Sequence, residues 1–192
     1  PLDQYIERDL AAGHPDAIIP EEFYENCWKE PQYDRDGDGN PEQYAIANST
    51  DCRALVYNKD LLRKAGLVDE AGNPKPPRNW TELREYARKL TEYDENGNIR
   101  VLGFAPNYGN SWLYIYGWAN GGRFMSPDGR TCTLDDPRIE EALQYMVDIY
   151  NDAGGYQEVM EFQSTFQGAY LDPFITGKIA MKIDGDGMLG LL

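Results

Sequence analysis

Strands that alternate with helices along this chain predict an α/β fold, a sheet layered with helices. Three observations carry that prediction. Arg53–Tyr57 (Arg-Ala-Leu-Val-Tyr) reads as a buried strand that runs directly into a helix. An amphipathic helix over Thr81–Leu90 is followed by a strand at Arg100–Ala105, and Ile179–Ile183 reads as a last strand preceded by helical sequence. At 192 residues the chain is long enough to bury a sizeable core.

The elements follow in order. Asp3–Leu10 is a short amphipathic helix, broken by Gly13-His14-Pro15. A second helix is expected over Pro20–Lys29, with Ile19, Phe23, Cys27 and Trp28 at helical spacing. The run Asp34-Arg-Asp-Gly-Asp-Gly-Asn-Pro41 is a polar loop, and Tyr44–Ala47 reads as the strand that leaves it. After the strand Arg53–Tyr57, Asn58 caps a helix over Lys59–Ala65 that Gly66 stops. Lys75-Pro-Pro-Arg-Asn-Trp80 leads in extended form to the helix Thr81–Leu90, whose apolar face is Leu83, Tyr86, Ala87 and Leu90. Asp94–Asn98 is a turn before the strand Arg100–Ala105. Ser111–Ala119 is an aromatic helix, with Tyr114, Tyr116 and Trp118 expected in the core. Asp136 caps the next helix with Pro137 in its first turn, and Ile139, Ala142, Leu143, Met146, Val147 and Tyr150 form its expected buried stripe. Helical sequence around Thr165–Thr176 precedes the last strand.

Composition excludes several classes. The balance of 33 acids against 18 bases gives a formal charge of −15, which argues against nucleic acid or an anionic membrane as a partner. No apolar run approaches the ~20 residues that span a bilayer, so the chain is not expected to be an integral membrane protein. Cys27, Cys52 and Cys132 are too few and too scattered for a disulfide framework or a zinc site. Their odd number leaves at least one thiol unpaired, with Cys27–Cys52 as the pairing to consider in an oxidising compartment. His14 is the single histidine, so neither a Cys–His pair nor a two-His zinc site is assembled. No phosphate-cradling loop is present: Gly121-Gly122-Arg123 lacks the following Lys-Ser/Thr, and Gly185 and Gly187 stand alone. Asp34, Asp36, Asp38 and Gly39 match the opening of an EF-hand-type calcium loop, with Glu42 at the ninth position. The twelfth position, where a bidentate Glu belongs, is Ala45, so a polar hairpin is the preferred reading. No cofactor or metal site is expected.

Five segments, in this order, resemble the extracellular solute-binding proteins of sugar-type ABC importers, the maltose-binding-protein-like family 1. They are Tyr44-Ala-Ile-Ala with Ala54-Leu-Val-Tyr-Asn-Lys-Asp-Leu-Leu62, Lys64-Ala-Gly66, Pro76-Pro-Arg-Asn-Trp80-Thr-Glu-Leu83, Ala119-Asn-Gly-Gly122, and Phe174-Ile-Thr-Gly-Lys-Ile-Ala-Met181. The resemblance spans Tyr44–Gly187, with Pro1–Tyr33 similar only loosely. It implies a fold like type II periplasmic binding proteins, in which two lobes close about a hinge. Residues 1–50 then correspond to a remnant of the first lobe and a hinge strand, 51–187 to the second lobe, and 188–192 to the start of the returning segment. Both ends read as cut.

The function so implied is that of a binding component. It would hold a saccharide in an interlobe cleft and deliver it to an ABC permease and its ATPase, from a periplasmic or lipid-anchored extracytoplasmic position, without chemistry of its own. Asp51 stands where the family commonly places a sugar-hydroxyl acceptor, a role an ionised carboxylate suits. Asn107, Tyr108, Asn110 and Trp112 occupy the loop after the Gly103–Ala105 strand, which in such receptors faces the cleft; amides and a phenol orient a polyol while an indole covers an apolar sugar face, although Trp112 reads equally as the start of a core helix. Asp186 is the remaining candidate. Here the sequence departs from the family: Asp184-Gly-Asp-Gly-Met188 has no aromatic where a stacking Trp often follows the glycine. That tells against a maltodextrin-like stacking mode and leaves Asp186 to accept hydroxyls and Met188 to offer a soft apolar face. Two other classes compete: a glycosidase-like hydrolase pairing Asp51 with Asp186, and a calcium-dependent interaction module built on Asp34–Glu42.

Overall fold

In a computed structural model the protein is described over residues 1–109, 111–166 and 172–191. The described chain forms two compact units, Pro1–Asp51 and Cys52–Leu192.

The first unit holds helix α1 (Asp3–Ala11), a 3-10 turn (Pro20–Glu22), helix α2 (Glu25–Lys29) and a two-stranded ladder of β1 (Gln32–Tyr33) with β2 (Glu42–Gln43). The single helix expected over Pro20–Lys29 is split, because Phe23 and Tyr24 are extended. Phe23 then folds back on Trp28, with ring centroids 5.4 Å apart. The strand expected over Tyr44–Ala47 does not form. Gln43, only 1% exposed, sends its side-chain Nε2 to the carbonyls of Ala45 at 2.7 Å and Trp28 at 3.3 Å, which draws the backbone out of the ladder. In the acidic loop, the Asp34 carboxylate accepts the N–H groups of Gly37, Asp38 and Gly39. A hairpin organised by its own first aspartate results.

The second unit is a four-stranded mixed sheet with helices. Its strands are β3 (Arg53–Tyr57), β4 (Glu92–Tyr93), β5 (Ile99–Gly109) and β6 (Ile179–Gly185), in the order β3-β6-β5-β4. β6 is antiparallel to β3 and parallel to β5, while β4 is antiparallel to β5. The central strands read as continuous buried runs, Val101–Pro106 and Ile179–Lys182, as expected where both faces of a sheet are covered. The helices are α3 (Lys59–Lys64), α4 (Trp80–Leu90), α5 (Leu113–Ala119), α6 (Pro137–Asp152) and α7 (Tyr156–Ser164).

Local chemistry explains the boundaries. The Asn58 Oδ1 accepts the N–H groups of Asp60 and Leu61, both at 3.0 Å, and so starts α3. Asn79 does the same for α4 through Glu82 N–H, and the Glu82 carboxylate returns to the N–H of Arg78. Asp136 caps α6 through Arg138 N–H. Helix α4 lies directly on β5 because residue 103 has no side chain: a Cβ there would collide with the Ala87 carbonyl group. The opposite side of α4 is tied to α6 by Arg84, which bonds Asp148 at 2.7 Å and Asp152 at 2.5 Å.

Several expectations shift. The buried stripe of α6 is Ile139, Ala142, Met146, Ile149 and Tyr150; Leu143 and Val147 fall outside it, 46% and 42% exposed, because the contact is narrower than the apolar arc. In α5 Tyr116 is core, but Tyr114 and Trp118 are not. They lie one turn apart on the outer face and pack on each other, centroids 5.0 Å apart. A helix not expected from the sequence forms at Tyr156–Ser164; of the helical stretch expected around Thr165–Thr176, residues 167–171 lie outside the described residues, and 173–177 form turns after Asp172. All three cysteines are free thiols.

Candidate functional site

The register of β5 on β6 builds the site. Phe104 pairs with Met181 and Gly109 with Ile183, so five steps along β5 run opposite two along β6. The surplus is a bulge over 105–108, and bulges re-aim side chains where they occur. It carries Asn107 and Tyr108, both half-buried. Gly109 closes it with φ +76°, and a Cβ at this position would meet the Ile183 carbonyl oxygen at 2.9 Å and the Asp184 carboxylate at 3.2 Å. A left-handed backbone pressed against a carbonyl requires glycine. On the other flank of β6, at the same end, Arg53 lies opposite Gly185. The start of β3, the bulge of β5 and the end of β6 therefore meet at one end of the sheet, the location where open α/β sheets hold ligands.

Asn107 is fixed through its Oδ1, which accepts the hydroxyl of Tyr150, itself pushed up to about 12 by burial. Tyr108 has its hydroxyl pKa raised by burial first, then by the Asp172 and Asp184 carboxylates, so the phenol stays neutral and a donor. Trp112, just before α5, is extended and 53% exposed rather than core. Its neighbour Ser111 is fully buried and donates to the Tyr116 hydroxyl at 3.1 Å, which in turn donates to the Pro106 carbonyl at 2.6 Å. This relay ties the bulge itself, at Pro106, to the chain that follows it, at Ser111. Asp186 is exposed on the turn after β6, its Oδ1 accepting Gly187 N–H at 3.0 Å. Met188, by contrast, is buried at 6% exposure and presents no apolar face. Asn110 lies outside the described residues. Asp51 is the last residue of the first unit, two positions before β3.

One group at this end escapes a reading of the sequence. Lys182 is 2% exposed and alone faces the bulge, between the paired Met181 and Ile183. Its Nζ bonds Asp184 at 2.8 Å and Asp172 at 3.0 Å, and lies 5.5 Å from the Tyr108 ring centroid and 5.7 Å from that of Phe174. The signal for it is a lysine inside the apolar run Ile179–Ile183, which demands a buried acid. A groove of about 760 Å³ between α4 and α6, lined by Trp80, Arg84 and Tyr145 among others, contains none of the candidates.

Comparison with known proteins adds the context. The family profile described as bacterial extracellular solute-binding protein matches residues 1–190, so the likeness includes the first 33 residues. The sn-glycerol-3-phosphate-binding periplasmic protein of Escherichia coli K12 is 29% identical over 143 residues, covering 70% of this chain and 29% of that one. A binding protein of Brucella abortus is 30% identical over 119 residues, covering 57% of this chain and 25% of that one. Among solved structures, CpMnBP1 with mannotriose bound superposes with a TM-score of 0.78 at 26% identity, covering 99% of this chain and 44% of that one. An ABC substrate-binding protein of Listeria monocytogenes in complex with cycloalternan gives 0.69 at 25% identity, over 99% and 43%. The chain thus spans less than half the length of these relatives, and its α/β fold matches part of a type II periplasmic binding protein.

Proposed function

Because this chain belongs to the family of bacterial extracellular solute-binding proteins, we propose that it supplies one side of a saccharide cleft in a receptor that delivers its cargo to an ABC permease and its ATPase. The family is extracellular and binds solutes; it is not a family of enzymes. On this reading residues 51–187 are most of the second lobe, and residues 1–50 a remnant of the first. The ligand-facing set is Asn107, Tyr108, Trp112 and Asp186, with Asp51 and Asn110 included on the sequence pattern alone. Trp112 covers an apolar sugar face, the Asn107 amide nitrogen and Tyr108 hydroxyl donate to ring oxygens, and Asp186 accepts hydroxyls.

The observation that supports this best is the half-exposed indole of Trp112 next to the bulge, on a backbone anchored by Ser111 and Tyr116. Large aromatic surface left to solvent beside fixed polar groups suits carbohydrate. One lobe supplies only part of the contacts: a receptor of micromolar affinity gains about 8 kcal/mol, and half of that corresponds to about millimolar. The test is an amide-resolved NMR titration of the chain with mannobiose, in wild type and Trp112→Ala. Shifts at Asn107, Tyr108 and Gly185 with a dissociation constant of about 1 mM are expected, and Trp112→Ala should weaken it about tenfold. A wild-type chain that shows no shifts at these amides refutes the assignment of the site. Submicromolar binding refutes its division between two lobes.

A further inference from the structure

Beneath the bulge the charge is arranged in an unusual way. Lys182 cannot serve as counter-charge to a ligand. It is buried under the rings of Tyr108 and Phe174, donates to Asp172 and forms ion pairs with both Asp172 and Asp184. To reach an anion it would have to leave two carboxylates unpaired in a largely buried place, a costly exchange. Arg53, opposite Gly185, is not without a partner either. Lys182 is thus outnumbered by its own two partners, Asp172 and Asp184, and Asp186 follows two residues after Asp184 on the exposed turn that ends β6. Asp184 stands against the backbone of Gly109, so its charge sits at the floor of the bulge rather than at a distance.

We infer that the site selects against negatively charged solutes, and that the Lys182–Asp172–Asp184 triad, with Asp186, is what sets this selection. The inference rests on the saccharide reading of the same site and narrows it: the cargo is an uncharged or amino-bearing polyol, not a phosphorylated one. It also separates this chain from a relative whose name records a phosphate ester as ligand. The triad has a second effect that follows from the same geometry. With its charge satisfied internally, Lys182 joins the β5 bulge, the turn at Asp172 and the end of β6 without presenting a cation to the ligand.

The test pairs two probes, mannobiose and sn-glycerol 3-phosphate, titrated by amide-resolved NMR against the wild-type chain, Asp186→Asn and Asp184→Asn. Asp186→Asn changes an exposed side chain and keeps the fold; Asp184→Asn removes one of the two partners of Lys182. In the wild type, mannobiose is expected to bind at least about tenfold more tightly than the phosphate. Each substitution should raise affinity for the phosphate about tenfold relative to mannobiose, since one unit charge some 6–8 Å from a phosphate at intermediate dielectric carries about that factor. Equal affinities in the wild type, or variants that leave the ratio unchanged, overturn the charge selection and leave the saccharide site standing. If neither probe shifts the amides of Asn107, Tyr108 and Gly185 in any of the three proteins, the site assignment itself fails, and this inference with it.

Discussion

Replacing Gly109 by alanine probes the joint that shapes the bulge. The cost has two parts. Residue 109 has φ +76°, a left-handed conformation that costs a residue with a side chain about 1 kcal/mol. The new Cβ would also stand 2.9 Å from the Ile183 carbonyl oxygen, a backbone atom that cannot rotate away, and 3.2 Å from the Asp184 carboxylate. Overpacking of this kind costs about 2 kcal/mol. The sum, about 3 kcal/mol, lowers the melting temperature of a domain of this size by roughly 6–12 °C. Urea unfolding and calorimetry measure it directly. Gly187→Ala is the control, since a Cβ there meets nothing within 4 Å, and should change stability by less than about 0.5 kcal/mol. A loss below about 1 kcal/mol for Gly109→Ala would show that β5 does not press on β6 at this point, and the account of the bulge would fall with it.

Two further predictions concern the scaffold. Asn58→Ala removes the acceptor of two N–H groups at the start of α3 and should cost about 1–2 kcal/mol in urea unfolding, with Asn58→Asp nearly neutral. Asp152 is held down to about 2, first by its hydrogen bonds with Arg84, from an ordinary value of 3.8. Its pKa is lower in the folded state, so the ion pair stabilises the fold above the ordinary value and is lost as pH falls through 3.8 towards 2. With partial solvent access the contribution is about 1 kcal/mol. Unfolding at pH 6 and pH 2.5 should show a larger acid loss in the wild type than in Asp152→Asn, and equal losses would refute the coupling of Arg84 to Asp152.

The legible parts of the fold are those with local signals. The caps Asn58 and Asp136, with Pro137 behind the latter, mark helix starts without reference to anything distant, and Leu83, Ala87 and Leu90 report their shared face by spacing alone. What stays illegible depends on partners far along the chain. Pro106 and Asn107 read as loop because nothing near them records the pairing of Gly109 with Ile183, which lies more than 70 residues away. Tyr44–Ala47 has strand composition, yet the buried amide of Gln43 claims the backbone first. Trp118 and Leu143 are apolar enough for a core, and only the narrow contact of their helices leaves them outside it. Of the candidate site, Trp112, Tyr108 and Asp186 come from the family pattern, whereas the sequence marks Lys182 only as a lysine in an apolar run and its partners Asp172 and Asp184 come from tertiary placement.

Under the proposed function, the mismatch between β5 and β6 bears on how specificity could change. Pairing holds at Phe104 and is restored at Gly109, so the number of residues between these two points is uncoupled from the rest of the sheet. An insertion or deletion at Asn107–Tyr108 would lengthen or shorten the presented loop while both ladders keep their partners and Ala105 and Pro106 stay in the core. New specificity can then arise in single steps without passing through an unfolded ancestor, which makes this short stretch the inexpensive place for evolution, or for an engineer, to retune what the sheet end holds.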